Sequence, residues 1–197
     1  MKLFARKGFD QVTIAEIAAA ANVSDKTVFN YFATKEDLVL TNREELDERL
    51  LEAVRTRPEG ESLIAAVRAH TLDVALHLSM VSAARRADFR KVIYNTPSVL
   101  ARMRQLSLAH EEALIRLVAA QVGQTTHNST IRTIVTILGT LSRLAYGFVG
   151  HSPEAPPDYK RVVAEINAAF DLVERGLAEF GKHTETRFNP HQGALRS

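Results

Sequence analysis

Apolar residues recur along the chain three or four positions apart, and no stretch keeps the strict alternation of a half-buried strand. This pattern predicts an all-α fold. Breaks are expected where turn-forming residues cluster, at Gly8, Pro58-Glu59-Gly60, Thr96-Pro97, 123–128 and 152–157. The longer helices are therefore predicted at about 35–55, 61–79, 82–94, 97–122, 128–150 and 158–180.

The segment 13–38 predicts two short helices joined by a tight turn. Thr13 and Glu16 have the spacing of a capping box, in which hydroxyl and carboxylate satisfy each other's free backbone N–H groups. Asn22 tolerates the left-handed conformation that a tight turn needs, and Ser24 is expected to cap the next helix. Two such helices, with polar side chains at the start of the second, are typical of a protein that reads the major groove of DNA.

Charge adds a local signal rather than a global one. The 197 residues carry a net charge of only +2, which does not by itself indicate a nucleic-acid-binding protein. Residues 1–35 hold five basic and three acidic side chains, whereas 36–52 is strongly acidic. Any basic surface is therefore expected in the N-terminal part of the chain.

Several functions are disfavoured by what the sequence lacks. Cysteine is absent, which excludes disulfides and thiolate metal sites. Without a signal-peptide pattern or an apolar run of about 18 residues, a cytoplasmic location and no membrane partner are expected. His70 and His77 stand about 10 Å apart along a helix, too far to share a metal ion, so we predict no metal and no cofactor. With no glycine-rich phosphate loop or nucleophile elbow, an all-α enzyme is a remote alternative.

Five short segments near the N-terminus follow one another in a recognisable order and spacing. They are LFARKGF at 3–9, TIAEIA at 13–18, ANVS at 21–24, TVFNYF at 27–32 and KEDL at 35–38. Over about 36 residues they resemble the DNA-binding head of the tetracycline-repressor-type (TetR) family of regulators. The resemblance implies a three-helix head containing the helix-turn-helix, followed by an antiparallel helical domain for ligand binding and dimerisation.

The resemblance also implies roles for single residues of the head. The positions implied in base contacts are Asp25, Lys26, Thr27 and Asn30. The positions implied in phosphate contacts are Thr13, Ser24, Tyr31 and Lys35. The chemistry agrees, because asparagine suits an adenine edge, lysine suits guanine, and hydroxyls and lysine suit phosphate oxygens. Alternatives remain open: Asp25 as a complement to the helix dipole, Tyr31 as a packing aromatic, and Lys35 as a solvated charge.

Three features depart from the family pattern. Asn22 replaces the usual turn glycine, which is a mild substitution. Phe29 stands where many members have a tyrosine whose hydroxyl reaches phosphate, and it is expected in the core with Val28 and Phe32. The chain begins only about seven residues before Gly8. A truncated first helix is therefore expected, together with a native protein that starts earlier.

Two apolar helices near the C-terminus are expected to pair with their copies across a two-fold axis, as a four-helix bundle. The residues expected at this interface are Leu138, Leu141, Val162, Ile166, Phe170, Val173 and Leu177. The alternative is that the same stripes pack only within one subunit.

An effector pocket is expected among the middle helices. The residues expected to line it are Phe89, Ile93, Tyr94, Leu100, Met103, Ser107, His110 and Leu114. Basic neighbours of the aromatic residues suit an anionic amphipathic effector, but a solvated basic face is the favoured explanation of them. The segment after Thr96 weakly resembles family members that sense acyl-CoA-like molecules, so an apolar or acyl-CoA-like effector is one candidate class.

The predicted organisation is a helix-turn-helix domain at 1–38, an effector-binding and dimerisation domain at 39–181, and a disordered tail at 182–197. The predicted function is ligand-responsive regulation of transcription, by a homodimeric repressor that a small molecule releases from a palindromic operator on double-stranded DNA. The alternative is an activator, or a DNA-binding factor without an effector.

Overall fold

The structure is a computed structural model that describes residues 1–146 and 158–176. Within these ranges every regular element is an α-helix, so the prediction of an all-α fold is confirmed. The helices are α1 (Lys2–Lys7), α2 (Ile14–Ala21), α3 (Asp25–Tyr31), α4 (Asp37–Arg55), α5 (Leu63–Ser79), α6 (Ala83–Asn95), α7 (Pro97–Gln121), α8 (Ser129–Ser142) and α9 (Tyr159–Glu174). The predicted tail and the predicted helix ends at 150 and 180 lie outside the described residues.

Residues with positive φ end the first two helices. Gly8 follows α1 at φ 89°, where a side chain would be strained. Asn22 follows α2 at φ 55° and ψ 44°, the left-handed conformation expected for it. The N–H of Val23 then donates to the carbonyl of Ala18 at 3.0 Å, which closes the end of the helix. This turn directs the chain from α2 straight into α3.

Two hydrophobic cores organise the molecule, and α4 contributes to both. The larger core lies among α4, α5, α7, α8 and α9, around the fully buried Phe170 and Ile166. The smaller core joins Phe4 and Phe9 of the head to the start of α4, to α6 and to the start of α7. Packing therefore continues across residue 38, and the predicted domain boundary there remains a prediction.

Polar contacts also tie the head to the rest of the described chain. Lys91 of α6 donates to the carbonyl of Ala5 at 2.9 Å. Arg102 of α7 forms an ion pair with Asp37, the first residue of α4, with 2.8 Å between Nε and Oδ1. The head is thus joined to α6 and α7 by hydrogen bonds as well as by apolar contact.

The side chains expected at a dimer interface lie in the core of the single chain, which corrects that expectation. Buried residues of this set are Leu138, Leu141, Val162, Ile166 and Phe170; Val173 is half-buried against the same core, and Leu177 lies outside the described residues. The reason is that α9 packs its apolar stripe on α5. A stripe at helical spacing shows that a helix has a covered side, but not what covers it.

Over the described ranges, no single helix is long and apolar enough to cross a membrane; only the bent pair α5 and α6, at 108°, meets length and composition criteria jointly.

Candidate nucleic-acid interface

The start of α2 has the predicted capping box. Thr13 Oγ1 accepts from the N–H of Glu16 at 3.2 Å, and Glu16 Oε2 accepts from the N–H of Thr13 at 2.9 Å. The hydrogen bond from Lys7 is the largest of the interactions that lower the pKa of the Glu16 carboxyl. Thr13 is exposed, but its hydroxyl already serves the helix. Any phosphate contact at Thr13 therefore shares this hydroxyl with the cap.

The start of α3 is capped in a similar way by Ser24. Its Oγ accepts from the N–H of Thr27 at 3.1 Å and lies 2.8 Å from the Thr27 hydroxyl. The cap prediction is confirmed. Ser24 is exposed and Thr27 half-buried, so Ser24 is the more accessible of the two hydroxyls.

Lys26 and Asn30 lie on the open side of α3. Both are exposed, and neither side chain forms a hydrogen bond or ion pair with another residue in 1–146 or 158–176. At about 100° per residue, they project within roughly 40° of each other around the helix. Asp25 is also exposed, about 100° from Lys26. The polar groups expected to read bases therefore face outward, free to bind a partner.

The two aromatic residues of α3 are both exposed, and Phe29 corrects its predicted core position. Phe29 is 61% exposed and Tyr31 79% exposed, whereas Val28 is buried and Phe32 half-buried. α3 has only seven residues, and only the side that carries Val28 is buried against the rest of the head. Phe29 is turned about 100° from Val28, so its ring projects into solvent beside Lys26.

Lys35 is held inside the head rather than offered to a partner. Its Nζ donates to the carbonyls of Phe9 at 2.9 Å and Val12 at 3.2 Å, and lies 4.5 Å from the centre of the Phe9 ring. This geometry differs from both expectations for Lys35, a phosphate contact and a solvated charge, because its ammonium group is bound to backbone carbonyls. Since both carbonyls belong to the link between α1 and α2, Lys35 positions that link against the start of α4.

A network of hydrogen bonds surrounds Asp37, and sequence reasoning missed only its link to Arg102. Its Oδ2 accepts from the N–H of Thr34 at 2.9 Å, and Thr34 Oγ1 accepts from the N–H of Asp37 at 3.2 Å. Burial raises the pKa of Asp37, but hydrogen bonds from Arg102 and Thr34 outweigh it and hold the pKa below its usual value. The spacing of Thr34 and Asp37 was a detectable signal for the cap. Nothing local indicated Arg102, which is 65 residues away.

The eight residues expected to form an effector pocket do not enclose one site, which corrects that expectation. Ile93, Leu100 and Met103 pack in the core of the head, and Phe89 and Tyr94 are exposed on α6. Only Ser107, His110 and Leu114 line a common cavity, between α4, α7 and α8. Its volume is about 20 Å³. That is space for about one water-sized group, far below the several hundred Å³ of a typical ligand pocket.

The lining of this cavity is polar on the side of α4. Arg43 Nε donates to both carboxylate oxygens of Asp47, at 3.0 and 2.9 Å. His110 Nε2 is buried and has no hydrogen-bond partner among residues 1–146 and 158–176, and burial lowers the pKa of this imidazole. Burial likewise lowers the pKa of the neighbouring His70, to about 4. Within the described ranges, no cluster of three or more histidine or acidic side chains is arranged to hold a metal ion.

The turn at Asn22 and the exposed face of α3 give the head the geometry of a helix-turn-helix, and sequence comparison agrees. The family model for bacterial regulatory proteins, tetR family, matches residues 1–41. The helix-turn-helix transcriptional regulator TcmR of Streptomyces glaucescens is 30% identical over 137 residues, which cover 62% of this chain and 57% of the relative. The N-terminal part of the chain is therefore similar to the DNA-binding part of the tetR family of bacterial regulatory proteins.

A second relative aligns over more of the chain. MftR of Mycobacterium tuberculosis, named as a candidate mycofactocin biosynthesis transcriptional regulator, is 28% identical over 185 residues, which cover 90% of this chain and 86% of the relative. TcmR, by contrast, is matched over little more than half of its own length.

Solved structures resemble the chain only loosely. Salmonella enterica GusR aligns with a TM-score of 0.48 and 19% identity, over 87% of this chain and 91% of that one. A TetR/AcrR-family regulator from Thermobifida fusca aligns with a TM-score of 0.45 and 19% identity, over 86% and 90%. At these values the similarity to the tetR family rests on the N-terminal sequence match alone.

Proposed function

We propose that this chain is a ligand-responsive, DNA-binding regulator of transcription, and specifically a homodimeric repressor that a small molecule releases from a palindromic operator. The observation that carries the proposal is the open face of α3, where Lys26 and Asn30 have unused hydrogen-bonding groups. Lysine and asparagine are the residues that pair with guanine and adenine edges in the major groove.

The proposed division of roles within the head follows from side-chain chemistry. Lys26 and Asn30 read base edges, and Asp25 accepts from a cytosine amino group. Ser24 and Tyr31 contact phosphate, because both residues are exposed and hydroxyl groups suit phosphate oxygens. Lys35 positions the head, since its ammonium group is already bound to backbone carbonyls.

A homodimer would use the sides of α8 and α9 that the chain itself leaves open. These sides present exposed Ile134 and Leu172, with small Ala164 and Ala168 on α9. Two copies joined there would carry two heads, and a palindromic operator needs those heads about 34–36 Å apart to enter successive major grooves.

Ligand control would act through α4. This helix begins in the core of the head and carries Arg43 and Asp47 at the wall of the small cavity. A ligand that binds an expanded cavity better than the present one would shift α4, and with it the head, by as much as its difference in affinity allows. A cavity of only about 20 Å³ supports a second candidate function equally well, that of a DNA-binding factor without an effector.

The DNA-binding part is tested by selecting duplexes from a random-sequence library with the full chain. We expect enrichment of a palindrome with half-sites about one helical turn apart. Asn30→Ala should cost about 1–3 kcal/mol on the selected duplex and relax sequence preference at one base pair. Tyr31→Phe, the matched control, should weaken all duplexes to a similar extent. Equal losses on every sequence for both variants, or no enrichment, would contradict the proposal.

The other parts are tested separately. Sedimentation should give a dimer at micromolar concentration, and a monomer at every concentration would remove the homodimer. A thermal shift on adding decanoyl-CoA, with coenzyme A alone as control, would support an acyl-CoA-like effector. No shift with this or a panel of apolar acids would favour the factor without an effector. A reporter gene behind the selected duplex distinguishes repression from activation.

A further inference from the structure

The exposed phenyl ring of Phe29 occupies the middle of the open face of α3. At about 100° per residue, Phe29 lies between Asp25 and Lys26 around the helix, roughly 40° from the first and 60° from the second. Both neighbours are exposed and polar. The phenyl ring is 61% exposed in a face whose other members have hydrogen-bonding groups.

Packing inside the chain does not account for this position. The core of the head is filled by other side chains, among them Phe4, Phe9 and Val12, and Phe29 belongs to neither hydrophobic core. Its side chain has no hydrogen-bonding group, so it adds nothing to the polar contacts of Lys26 and Asn30. Its chemistry is instead that of a large apolar contact surface.

The major groove of DNA displays one apolar group, the 5-methyl of thymine, and apolar side chains contact it. A ring between Lys26 and Asp25 would approach the groove together with them, and would cover a methyl group at a neighbouring base pair. The size of the effect follows from the area involved. Burying one methyl-sized group is worth roughly a fourfold change in affinity.

We propose that Phe29 is a specificity-determining residue, which selects a thymine in each half-site by covering its 5-methyl group. The inference rests on the proposed DNA binding and adds a base preference to it. It also assigns a role to the departure from the family's usual tyrosine: a phenyl ring in place of a phenol shifts this position from a polar contact toward an apolar one.

The test uses the duplex that the full chain enriches most from a random-sequence library, with each thymine replaced in turn by uracil. This replacement removes only the methyl group. We expect one position per half-site to lose roughly fourfold in affinity, and the two symmetric positions together roughly 15-fold. For the Phe29→Ala variant, replacing the same thymine by uracil should change the free energy of DNA binding by less than about half the change seen with the unmodified chain.

Two further variants separate the inference from a general loss of binding. Phe29→Tyr keeps the ring and should keep the dependence on the methyl group. Tyr31→Ala, on the side of α3 away from Phe29, should weaken binding while leaving the ratio between thymine and uracil duplexes unchanged. Helicity and melting temperature of Phe29→Ala should match those of the unmodified chain, because the ring is mostly exposed.

Each outcome decides the inference. If uracil is tolerated equally at every position, or if Phe29→Ala shows the same loss as the unmodified chain, Phe29 does not read thymine although DNA binding stands. If the unmodified chain enriches no duplex, DNA binding itself is wrong and this inference falls with it.

Discussion

Replacement of Arg102 by methionine should loosen the attachment of the head. Arg102 donates from α7 to Asp37, whose side chain is 7% exposed at the start of α4. Methionine keeps the length and apolar stem of the side chain but removes the charge. The variant therefore leaves a buried carboxylate without its cationic partner, next to Glu44, which is 4.0 Å from Arg102.

The expected loss of stability depends on how deeply each partner of the ion pair is buried. Removing one partner of a fully buried ion pair costs about 3–5 kcal/mol, because the remaining charge cannot be solvated. Arg102 is 33% exposed, so water can replace part of its contribution. We therefore expect a loss of about 2 kcal/mol in the free energy of unfolding, or roughly 4–8 °C in melting temperature for a chain of this size.

Denaturant unfolding of four proteins measures this coupling: the unmodified chain, Arg102→Met, Asp37→Asn and the double variant. The two single changes should be non-additive by about 1–2 kcal/mol, since each removes the same interaction. Hydrogen exchange should show weaker protection in α1–α3 of Arg102→Met and unchanged protection in α9. Additive effects, or a loss below about 0.5 kcal/mol, would refute the reasoning.

The pair also predicts a dependence on pH. The pKa of Asp37 is lowered in the folded chain, so its stabilising contribution is present above the unfolded value and is lost as pH falls through the folded one. The unmodified chain should therefore lose more stability than Asp37→Asn on acidification from pH 5. An equal loss in both proteins would mean that another group is responsible.

Three smaller predictions concern Lys35 and Asn22 in the head and His70 in α5. Lys35→Met should lower stability by about 1–2 kcal/mol through its lost bonds to Phe9 and Val12, with little change in the salt dependence of DNA binding; a salt slope reduced by about one would instead indicate a phosphate contact. Asn22→Ala should cost about 1 kcal/mol in thermal unfolding, because alanine resists the left-handed conformation, and no cost would contradict this strain. The folded pKa of His70, about 4, lies below the unfolded value. The contribution of His70 to the free energy of unfolding is therefore fully present above about pH 6.5 and is lost toward pH 4. The loss should be about 1–2 kcal/mol after allowance for solvent, and His70→Gln should not show it.

The local structure of the head could be predicted from sequence, because the relevant interactions join residues close in the chain. The capping box of Thr13 and Glu16, the left-handed Asn22 and the cap at Ser24 all depend on contacts within five residues. Helical periodicity predicted the all-α fold for the same reason: it records which side of each helix is covered.

What covers each helix was decided only in the tertiary structure. Phe170 and Ile166 were expected at a subunit interface and lie in the core of one chain, because an apolar stripe packs equally well against α5 or against a second copy. Phe29 was expected in the core and is exposed, because a helix of seven residues has too little covered side for both Val28 and Phe29.

The same distinction applies to charge. Sequence showed that Lys35, Asp37 and Arg102 are ionisable. The carbonyls that bind Lys35 lie 23 and 26 residues away along the chain, and Asp37 and Arg102 are 65 residues apart. Such pairs form only when packing brings distant helices together, and local patterns contain no record of that distance. The sequence by itself determined a helical protein with a helix-turn-helix near its N-terminus. The tertiary structure decided which side chains of α3 are exposed to a partner.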